Sequence, residues 1–301
     1  MTNVRKADHV HLRVQSLEES VQFYEQIFGL REKQRDAGVV YLENIPENHY
    51  HRINDGFELA VEKGEPGLDH VGYRVTDEVL DKAIEGLSAE GHPHDETNGS
   101  EPGQERGVSF TLPGGASIEL TVVEKQSDVS LDDSAYPQTH HTPNGLDHVT
   151  LSTDAVQKDG EFLRDTLGFK ISEVMMAGPD RWGAAFTRLG AHHHDLGLLD
   201  ADMTGHVGLD HIAWEMRNMT HMKQFMDFFG RYGGTVDMNF TRHPIGNNIA
   251  VYMLDPSNFV HEIAIELQTL DEDTPTLFHE GDPNRLLSDW PGTFPEVGGE
   301  E

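Results

Sequence analysis

The sequence predicts an α+β fold of four βαβββ modules, which pair into two tandem domains. An Asp-His-Val or Asp-His-Ile phrase opens an alternating apolar strand four times, and its histidines are His9, His70, His148 and His211. A helical pattern and further short strands follow each of these strands. The spacings in the first half of the chain nearly recur in the second half, so the halves are two copies of one unit.

The spacing between equivalent residues indicates the duplication. The first two histidines are 61 residues apart (70 − 9), and the last two are 63 apart (211 − 148). A glutamate follows the second histidine of each half, Glu119 by 49 residues and Glu262 by 51. We therefore expect an N-terminal pair of modules at 1–125, a linker at 126–144, a C-terminal pair at 145–268 and an acidic tail at 269–301.

Helix signals lie at corresponding places in the modules. Ser16 to Glu19 reads as a capping box before the first helix. The other three helical patterns cover 77–87, 154–167 and 219–229. Glycine is common just past a helix end, so we expect the first, third and fourth helices to end at Gly29, Gly168 and Gly230.

The composition excludes several classes of protein. There is no cysteine among the 301 residues, so any metal must be held by histidine and carboxylate. No apolar run approaches the roughly 20 residues of a membrane helix, and the first eight residues contain no signal-peptide core. These features favour a cytoplasmic protein without a membrane partner.

The net charge of −31, from 53 acidic and 22 basic residues, disfavours binding to nucleic acid or anionic membranes. Acid on this scale, interspersed with periodic apolar segments, is typical of a protein that works in molar salt, where the screening length is about 3 Å. An acidic protein of ordinary salt is the alternative.

Glu262 lies inside an apolar strand that follows the turn residues 255–258. A buried carboxylate is costly unless a cation meets it. His148 and His211 stand at equivalent places on equivalent strands and can converge on it. Two imidazoles and one carboxylate form the ligand set of non-haem Fe(II) oxygenases, and Mn(II) accepts the same ligands.

The segments 145–148, 208–211 and 247–262 resemble the vicinal oxygen chelate superfamily, which has the glyoxalase-like fold. Within it they resemble the type I extradiol ring-cleaving dioxygenases, nearest to catechol 2,3-dioxygenases. The resemblance covers nearly the whole chain, and the tail least. It implies cleavage of catechol or a substituted catechol with O2, adjacent to the two hydroxyls, at Fe(II) or alternatively Mn(II). The metal ligands it implies are His148, His211 and Glu262.

The resemblance also implies three catalytic residues. Tyr252 would hydrogen-bond a substrate oxygen, His243 would contact the same oxygen, and His194 would stabilise O2 and act as acid–base catalyst. The family usually has glycine where Pro244 follows His243. The spacing of His194 to His211 is about one residue long for the family, so His192 and His193 remain alternatives. We favour His194 because it adjoins Asp195.

The first half meets the same ligand spacing with His9, His70 and Glu119, but it has Ser109 or Phe110 where Tyr252 lies. Only His51 lies at a spacing like that of His243, and it is measured from the wrong ligand. The resemblance implies a non-catalytic N-terminal domain without metal, and a second metal site is the alternative.

Two other functions are open to the sequence. One is a metal-dependent glyoxalase-like isomerase or epimerase, and the other is a non-catalytic protein that binds a small aromatic molecule. A carboxylate-bearing substrate would need a cationic partner, for which Arg181, Arg188 and Arg242 are candidates. The family implies a homo-oligomer, often a tetramer. The tail, with Trp290 and Phe294, would cover the site or pack on a neighbour.

Overall fold

The computed structural model describes residues 6–44, 56–123 and 141–290. The predicted linker residues 126–140, together with His51 and Phe294, lie outside the described residues. The domain boundaries at 125, 144 and 268 stay predictions.

Eight strands of the N-terminal half form one sheet in the order β2-β3-β4-β1-β5-β8-β7-β6. The first module contributes four strands and the second module the other four. Their bounds are β1 (Lys6–Val14), β2 (Arg31–Asp36), β3 (Val39–Glu43), β4 (Leu59–Lys63), β5 (Gly67–Arg74), β6 (His94–Thr97), β7 (Gln104–Thr111) and β8 (Ser117–Val123). The modules join through the antiparallel pair β1 and β5.

The C-terminal half repeats this sheet and adds one strand from the tail, in the order β14-β15-β16-β13-β9-β12-β11-β10-β17. Its strands are β9 (Gly145–Thr153), β10 (Lys170–Gly178), β11 (Arg181–Arg188), β12 (Leu196–Asp200), β13 (Gly208–Glu215), β14 (Thr235–Arg242), β15 (Ile249–Leu254), β16 (Val260–Ile265) and β17 (Leu277–His279). Read from β10 to β14, the order of the eight module strands matches the order from β2 to β6 in the N-terminal sheet. This confirms four βαβββ modules in two tandem domains.

Each module has one main helix between its first two strands. These helices are α1 (Leu17–Phe23), which continues as a π-helical turn over Tyr24–Phe28, α2 (Asp77–Glu90), α3 (Val156–Leu167) and α5 (Met219–Tyr232). Two short helices, α4 (Ala201–Thr204) and α6 (Pro283–Leu287), lie after β12 and in the tail. None of the helices in the described ranges is both long and apolar enough to span a membrane.

The predicted helix ends are partly right. Gly29 and Gly168 cap the first and third helices with φ of 67° and 73°. The fourth helix runs one turn past Gly230 and ends at Gly233. Ser16 is the N-cap of α1, but its side chain makes no capping hydrogen bond, so the predicted capping box does not form.

Three strands of the modules escaped the sequence analysis. β2, β6 and β14 lie on the outer side of their modules and are largely exposed. The residues of β2 and β6 are polar and give no period-two hydrophobic signal. β14 does alternate, with Val236, Met238 and Phe240 at every second position, but Val236 is exposed, so its apolar face is only partly buried.

The four Asp-His phrases coincide with irregularities in strand register. The pairing of β1 with β5 skips Asp8 and Asp69, and that of β13 with β9 skips Asp210. β9 contains an extra residue between Leu146 and Val149. Such bulges interrupt the alternation of side chains, so an aspartate can lie beside the histidine that follows it.

A hydrogen-bonded chain joins the two domains at Tyr24. Trp214 Nε1 donates to His261 Nδ1 over 3.0 Å, so the proton of a neutral His261 lies on Nε2, 3.2 Å from the Tyr24 oxygen. Tyr24 in turn donates to Asp255 Oδ2 over 2.6 Å. His261 is fully buried and alternates with Glu262 along β16, as the sequence predicts, so it belongs to the core.

We expect Tyr24→Phe to lower the free energy of unfolding by about 1–3 kcal/mol, since Asp255 loses a buried hydrogen bond. Urea unfolding followed by circular dichroism measures this. Tyr232→Phe is the matched control, because Tyr232 is 47% exposed and its change should stay within about 0.5 kcal/mol. Equal values for the two variants would show that the Tyr24 hydrogen bond does not stabilise the domain contact.

Candidate functional site

Three neighbouring strands of the C-terminal sheet bring His148, His211 and Glu262 together. His148 is on β9, His211 on β13 and Glu262 on β16, which are adjacent in the sheet. Glu262 Oε2 lies 3.3 Å from His148 Nε2 and 3.0 Å from His211 Nε2. All three residues are buried, and one ligand atom from each lies within 4.8 Å of the others. The three residues predicted as metal ligands therefore form one cluster.

The charge in this cluster is tightly coupled. Burial by itself raises the pKa of Glu262, but the adjoining His148 and His211 imidazoles hold that pKa well below its usual value. Burial likewise lowers the pKa of His148, yet Glu262 and Asp147 raise it to about 10. The cluster thus stabilises positive charge next to the Glu262 carboxylate, and a divalent cation fits this set of ligands.

A second layer of polar groups orients the three side chains. Asp147 lies 3.3 Å from His148 Nδ1, and Asp210 lies 2.6 Å from His211 Nδ1. With a proton held on each Nδ1, a metal ion that displaced the Nε2 protons would find a lone pair on both Nε2 atoms, as in carboxylate–histidine–metal arrangements. Asn248 donates to Glu262 Oε1 over 2.9 Å and leaves Oε2 for the cluster.

His194 lies against the cluster, with its ring centroid 4.1 Å from that of His148. Its Nδ1 is 2.9 Å from His193 Nδ1, and His193 Nε2 is 3.4 Å from Glu173. In the tautomer in which His194 donates from Nδ1 to His193, it keeps a lone pair on Nε2. Burial, followed by the charge of His148, lowers the pKa of His194 well below its usual value, so His194 is neutral.

His243 and Tyr252 form a hydrogen-bonded pair on another side of the cluster. His243 Nδ1 donates to the Leu287 carbonyl over 2.6 Å, because a carbonyl can only accept. In neutral His243, Nε2 is then an acceptor, and the Tyr252 hydroxyl donates to it over 2.9 Å. Tyr252 faces Glu262 in the strand register, and its ring lies 5.2 Å from that of His211.

The cluster opens into a cavity of about 630 Å³. All six predicted residues line it, with apolar side chains from both the domain body and the tail: Phe186, Leu199, Met203, Ile245, Leu286 and Leu287. Tail helix α6 thus covers part of the cavity, which is one of the two positions expected for the tail.

Acidic side chains line the cavity at Asp210, Asp237 and Asp282, whereas its lining includes no lysine or arginine from the described part of the chain. The three arginines proposed as partners for a substrate carboxylate are engaged elsewhere. Arg181 pairs with Asp200 and Asp202, Arg188 donates to backbone carbonyls, and Arg242 pairs with Glu266.

The two alternatives to His194 are placed away from the cavity. His192 is partly exposed and lies 3.5 Å from Asp147, while His193 is buried behind His194. Sequence reasoning missed Asn248 and the oxygen of Leu287, for which no motif signals a role. It also assigned no role to the aspartate of each Asp-His phrase, although this aspartate recurs in all four phrases.

In the N-terminal half, His9, His70 and Glu119 are likewise close together, and Glu101 is a fourth member of their cluster. Ser109 faces Glu119 where Tyr252 faces Glu262 in the other half. The two halves therefore hold similar clusters with different surroundings.

Comparison with known proteins follows the duplicated architecture. The sequence model of the "Glyoxalase/Bleomycin resistance protein/Dioxygenase superfamily" matches residues 6–120 and 145–263. The chain is 26% identical over 269 residues to a manganese-dependent 2,3-dihydroxybiphenyl 1,2-dioxygenase of Geobacillus genomosp. 3, covering 85% of this chain and 82% of that protein. It is 26% identical over 274 residues to a metapyrocatechase of Pseudomonas sp. (strain CF600), covering 86% and 85%.

Solved structures of two different activities share the fold. The 2,3-dioxygenase LapB from Pseudomonas sp. KL28 superposes with a TM-score of 0.80 at 23% identity, covering 93% of this chain and 98% of that one. The Mn(II)-bound glyoxalase from Novosphingobium aromaticivorans gives 0.80 at 22% identity, covering 98% and 95%. The fold alone therefore does not separate ring cleavage from isomerisation.

We expect Asn248→Ala to weaken divalent-metal binding at the C-terminal cluster by roughly 10- to 100-fold, since Glu262 loses the donor that orients it. Titration with Mn(II), with free Mn(II) counted by electron paramagnetic resonance, measures this. Asn239→Ala is the control, because Asn239 is exposed on β14. An unchanged affinity in Asn248→Ala would mean that Glu262 needs no such support.

Proposed function

The chain belongs to the Glyoxalase/Bleomycin resistance protein/Dioxygenase superfamily, and on that premise we propose that it is an extradiol dioxygenase. It would cleave catechol or a substituted catechol with O2 at a divalent metal ion in the C-terminal domain. The observation that carries the proposal is a cluster of two histidines and one glutamate that opens into a cavity beside His194, His243 and Tyr252. The named activities of the two sequence relatives support it.

The residues would fit ferrous iron, with Mn(II) as the alternative. His148, His211 and Glu262 would hold the ion from one side and leave its other positions to small molecules. One relative is named as manganese-dependent and one structural neighbour is Mn(II)-bound, so the choice of metal is part of the proposal. When bound, the metal would supply the Lewis acidity and electron-transfer capacity that a reaction between a catechol and O2 needs.

Tyr252 and His243 would orient the catechol. The Tyr252 hydroxyl donates a hydrogen bond to His243, so its oxygen is free to accept a hydrogen bond from a substrate hydroxyl. Burial and the Glu262 charge raise the pKa of Tyr252 well above its usual value, so Tyr252 stays protonated. The carbonyl of Leu287 fixes the His243 tautomer, which makes the tail part of this arrangement.

His194 would move a proton. It is neutral, and the lone pair on Nε2 can accept a proton from the reacting group and later return it. Its place next to His148 keeps this proton transfer at the ligand cluster. In this arrangement His193 accepts a hydrogen bond from His194 Nδ1, which fixes the orientation of the His194 ring.

The competing functions fit these features less well. An isomerase of this family would draw four protein ligands across paired modules, whereas the cluster that opens into the cavity of about 630 Å³ has three. A protein that only sequesters an aromatic molecule would not need a buried glutamate between two histidines. We also propose, from the charge and the family, a cytoplasmic homo-oligomer suited to high salt.

The test is oxygen uptake by protein purified anaerobically in high salt and loaded with Fe(II) or Mn(II). We expect one O2 consumed per catechol, since both oxygen atoms enter the product, and a yellow ring-opened product. His194→Ala should keep its metal but lose roughly 10²- to 10⁴-fold in kcat, because it removes the proton-transfer group. His94→Ala, on the outer strand β6, is the control.

Folded, metal-loaded protein that neither consumes O2 nor forms product with catechols would overturn the dioxygenase proposal. Full activity in His194→Ala would instead leave the activity in place and reject only the role of His194.

The substrate itself should carry no negative substituent. The cavity wall is apolar and acidic, and the arginines that could bind a carboxylate point elsewhere. A carboxylated catechol would bring an anion into this wall without a cationic partner, at a desolvation cost that an alkyl or aryl substituent avoids.

We therefore expect kcat/KM for 4-methylcatechol to exceed that for 3,4-dihydroxyphenylacetate by at least about 100-fold, or roughly 3 kcal/mol of differential binding. Initial rates for both substrates at the same salt concentration measure this ratio, with unsubstituted catechol as the reference. Comparable values for the two substituted catechols would reject the assignment of an uncharged substrate.

A further inference from the structure

We propose that the N-terminal domain binds a second divalent first-row metal ion in a closed site formed by His9, His70, Glu101 and Glu119. The ion would be structural and would not take part in ring cleavage. Nothing in the proposed dioxygenase activity requires it, so this inference is independent of that function.

The four side chains converge from different parts of the domain. His9 is on β1, His70 on β5, Glu119 on β8, and Glu101 is in the loop between β6 and β7. His9 Nε2 lies 3.1 Å from His70 Nε2, 3.1 Å from Glu101 Oε2 and 3.6 Å from Glu119 Oε2. His70 Nε2 lies 3.6 Å from Glu101 Oε1 and 4.0 Å from Glu119 Oε2.

Two of the five separations, both 3.1 Å, are those of atoms that share one metal ion, and the other three, at 3.6–4.0 Å, are somewhat longer. Nitrogen and oxygen ligands lie about 2.1 Å from such an ion, so neighbouring ligand atoms are roughly 3.0–3.4 Å apart in octahedral or tetrahedral arrangements. Small adjustments of the side chains would bring all four donor atoms within bonding distance of one ion. The same reasoning applies to the C-terminal cluster, whose ligand atoms are separated by similar distances.

The orienting groups are also duplicated. Asp8 lies 3.0 Å from His9 Nδ1, and Asp69 lies 3.0 Å from His70 Nδ1. Each histidine therefore has the carboxylate partner that is typical of metal-bound imidazole. Gln104 donates to Glu119 Oε1 over 2.8 Å, as Asn248 does to Glu262.

Gly72 provides the room for His9. A Cβ added there would overlap the His9 ring, so the ring packs directly on the β5 backbone. Phe57 covers the other part of His9, with ring centroids 4.4 Å apart. These contacts help to hold the His9 ring in place.

Glu101 makes this site closed. It precedes Glu119 by 18 residues (119 − 101), and His243 precedes Glu262 by 19 (262 − 243). Glu101 lies in the loop between β6 and β7, and His243 lies in the corresponding loop between β14 and β15. The first half thus has a fourth ligand where the second has a residue for the substrate, and four protein ligands fill a tetrahedral coordination shell.

The charges call for a cation. Glu101 and Glu119 face the same two histidines in a largely buried place, and Glu119, only 5% exposed, has an Oε2 atom that accepts no hydrogen bond. Two carboxylates in such a site repel each other unless positive charge lies between them. A divalent ion would supply this charge and give the free oxygen a partner.

The test uses the full chain, stripped of metal and then equilibrated with Zn²⁺ as the probe. We expect two ions per chain in the wild type, one in Glu262→Gln, and none in Glu262→Gln combined with His70→Ala. Glu101→Gln is the milder variant, since Glu101 lies in a loop. In the Glu262→Gln background it should weaken Zn²⁺ binding at least tenfold, whereas Glu96→Gln, an exposed carboxylate on β6, should not.

A second measurement does not depend on stoichiometry. In Glu262→Gln, added Zn²⁺ should raise the Tm by several degrees, because a ligand that binds only the folded state stabilises it. Circular dichroism confirms that each variant is folded.

If folded Glu262→Gln binds no Zn²⁺, or if its binding survives Glu101→Gln and His70→Ala unchanged, the second site is refuted. The dioxygenase proposal would be untouched by that result, since its test reads product and O2 uptake.

Discussion

The burial of Glu262 between His148 and His211 is the constraint on which the C-terminal domain depends. A carboxylate this deep in the protein needs positive charge beside it, and the two imidazoles meet it from adjacent strands. Their positions require bulges at the Asp-His phrases, which bring an aspartate next to each imidazole. Strand register, side-chain tautomer and charge are therefore set together.

The duplicated module explains why the molecule has two such clusters. Both sheets have the same strand order, and both place two histidines and a glutamate on corresponding central strands. The surroundings differ where loops and outer strands contribute. Glu101 and Ser109 in the first half stand where His243 and Tyr252 stand in the second, so one frame supports a closed cluster and an open one.

The tail contributes to the candidate site. Its strand β17 pairs with β10, and its helix α6 places the Leu287 carbonyl on His243. That single hydrogen bond fixes which nitrogen of His243 faces Tyr252. A segment beyond the duplicated modules thus decides the direction of a hydrogen bond in the site. The suitability of the acidic surface for high salt stays a prediction.

The sequence by itself determined the four modules, the two domains of the fold and the choice of His148, His211 and Glu262, because these follow from repetition and from a carboxylate in an apolar strand. It also supplied His194, His243 and Tyr252 through a family resemblance. Only the tertiary structure revealed β2 and β6, which have no apolar face, the largely exposed strand β14, and the contributions of Asn248, Glu101 and the tail. Those contributions come from loops and backbone atoms whose positions depend on packing between distant segments, and local sequence patterns do not encode such contacts.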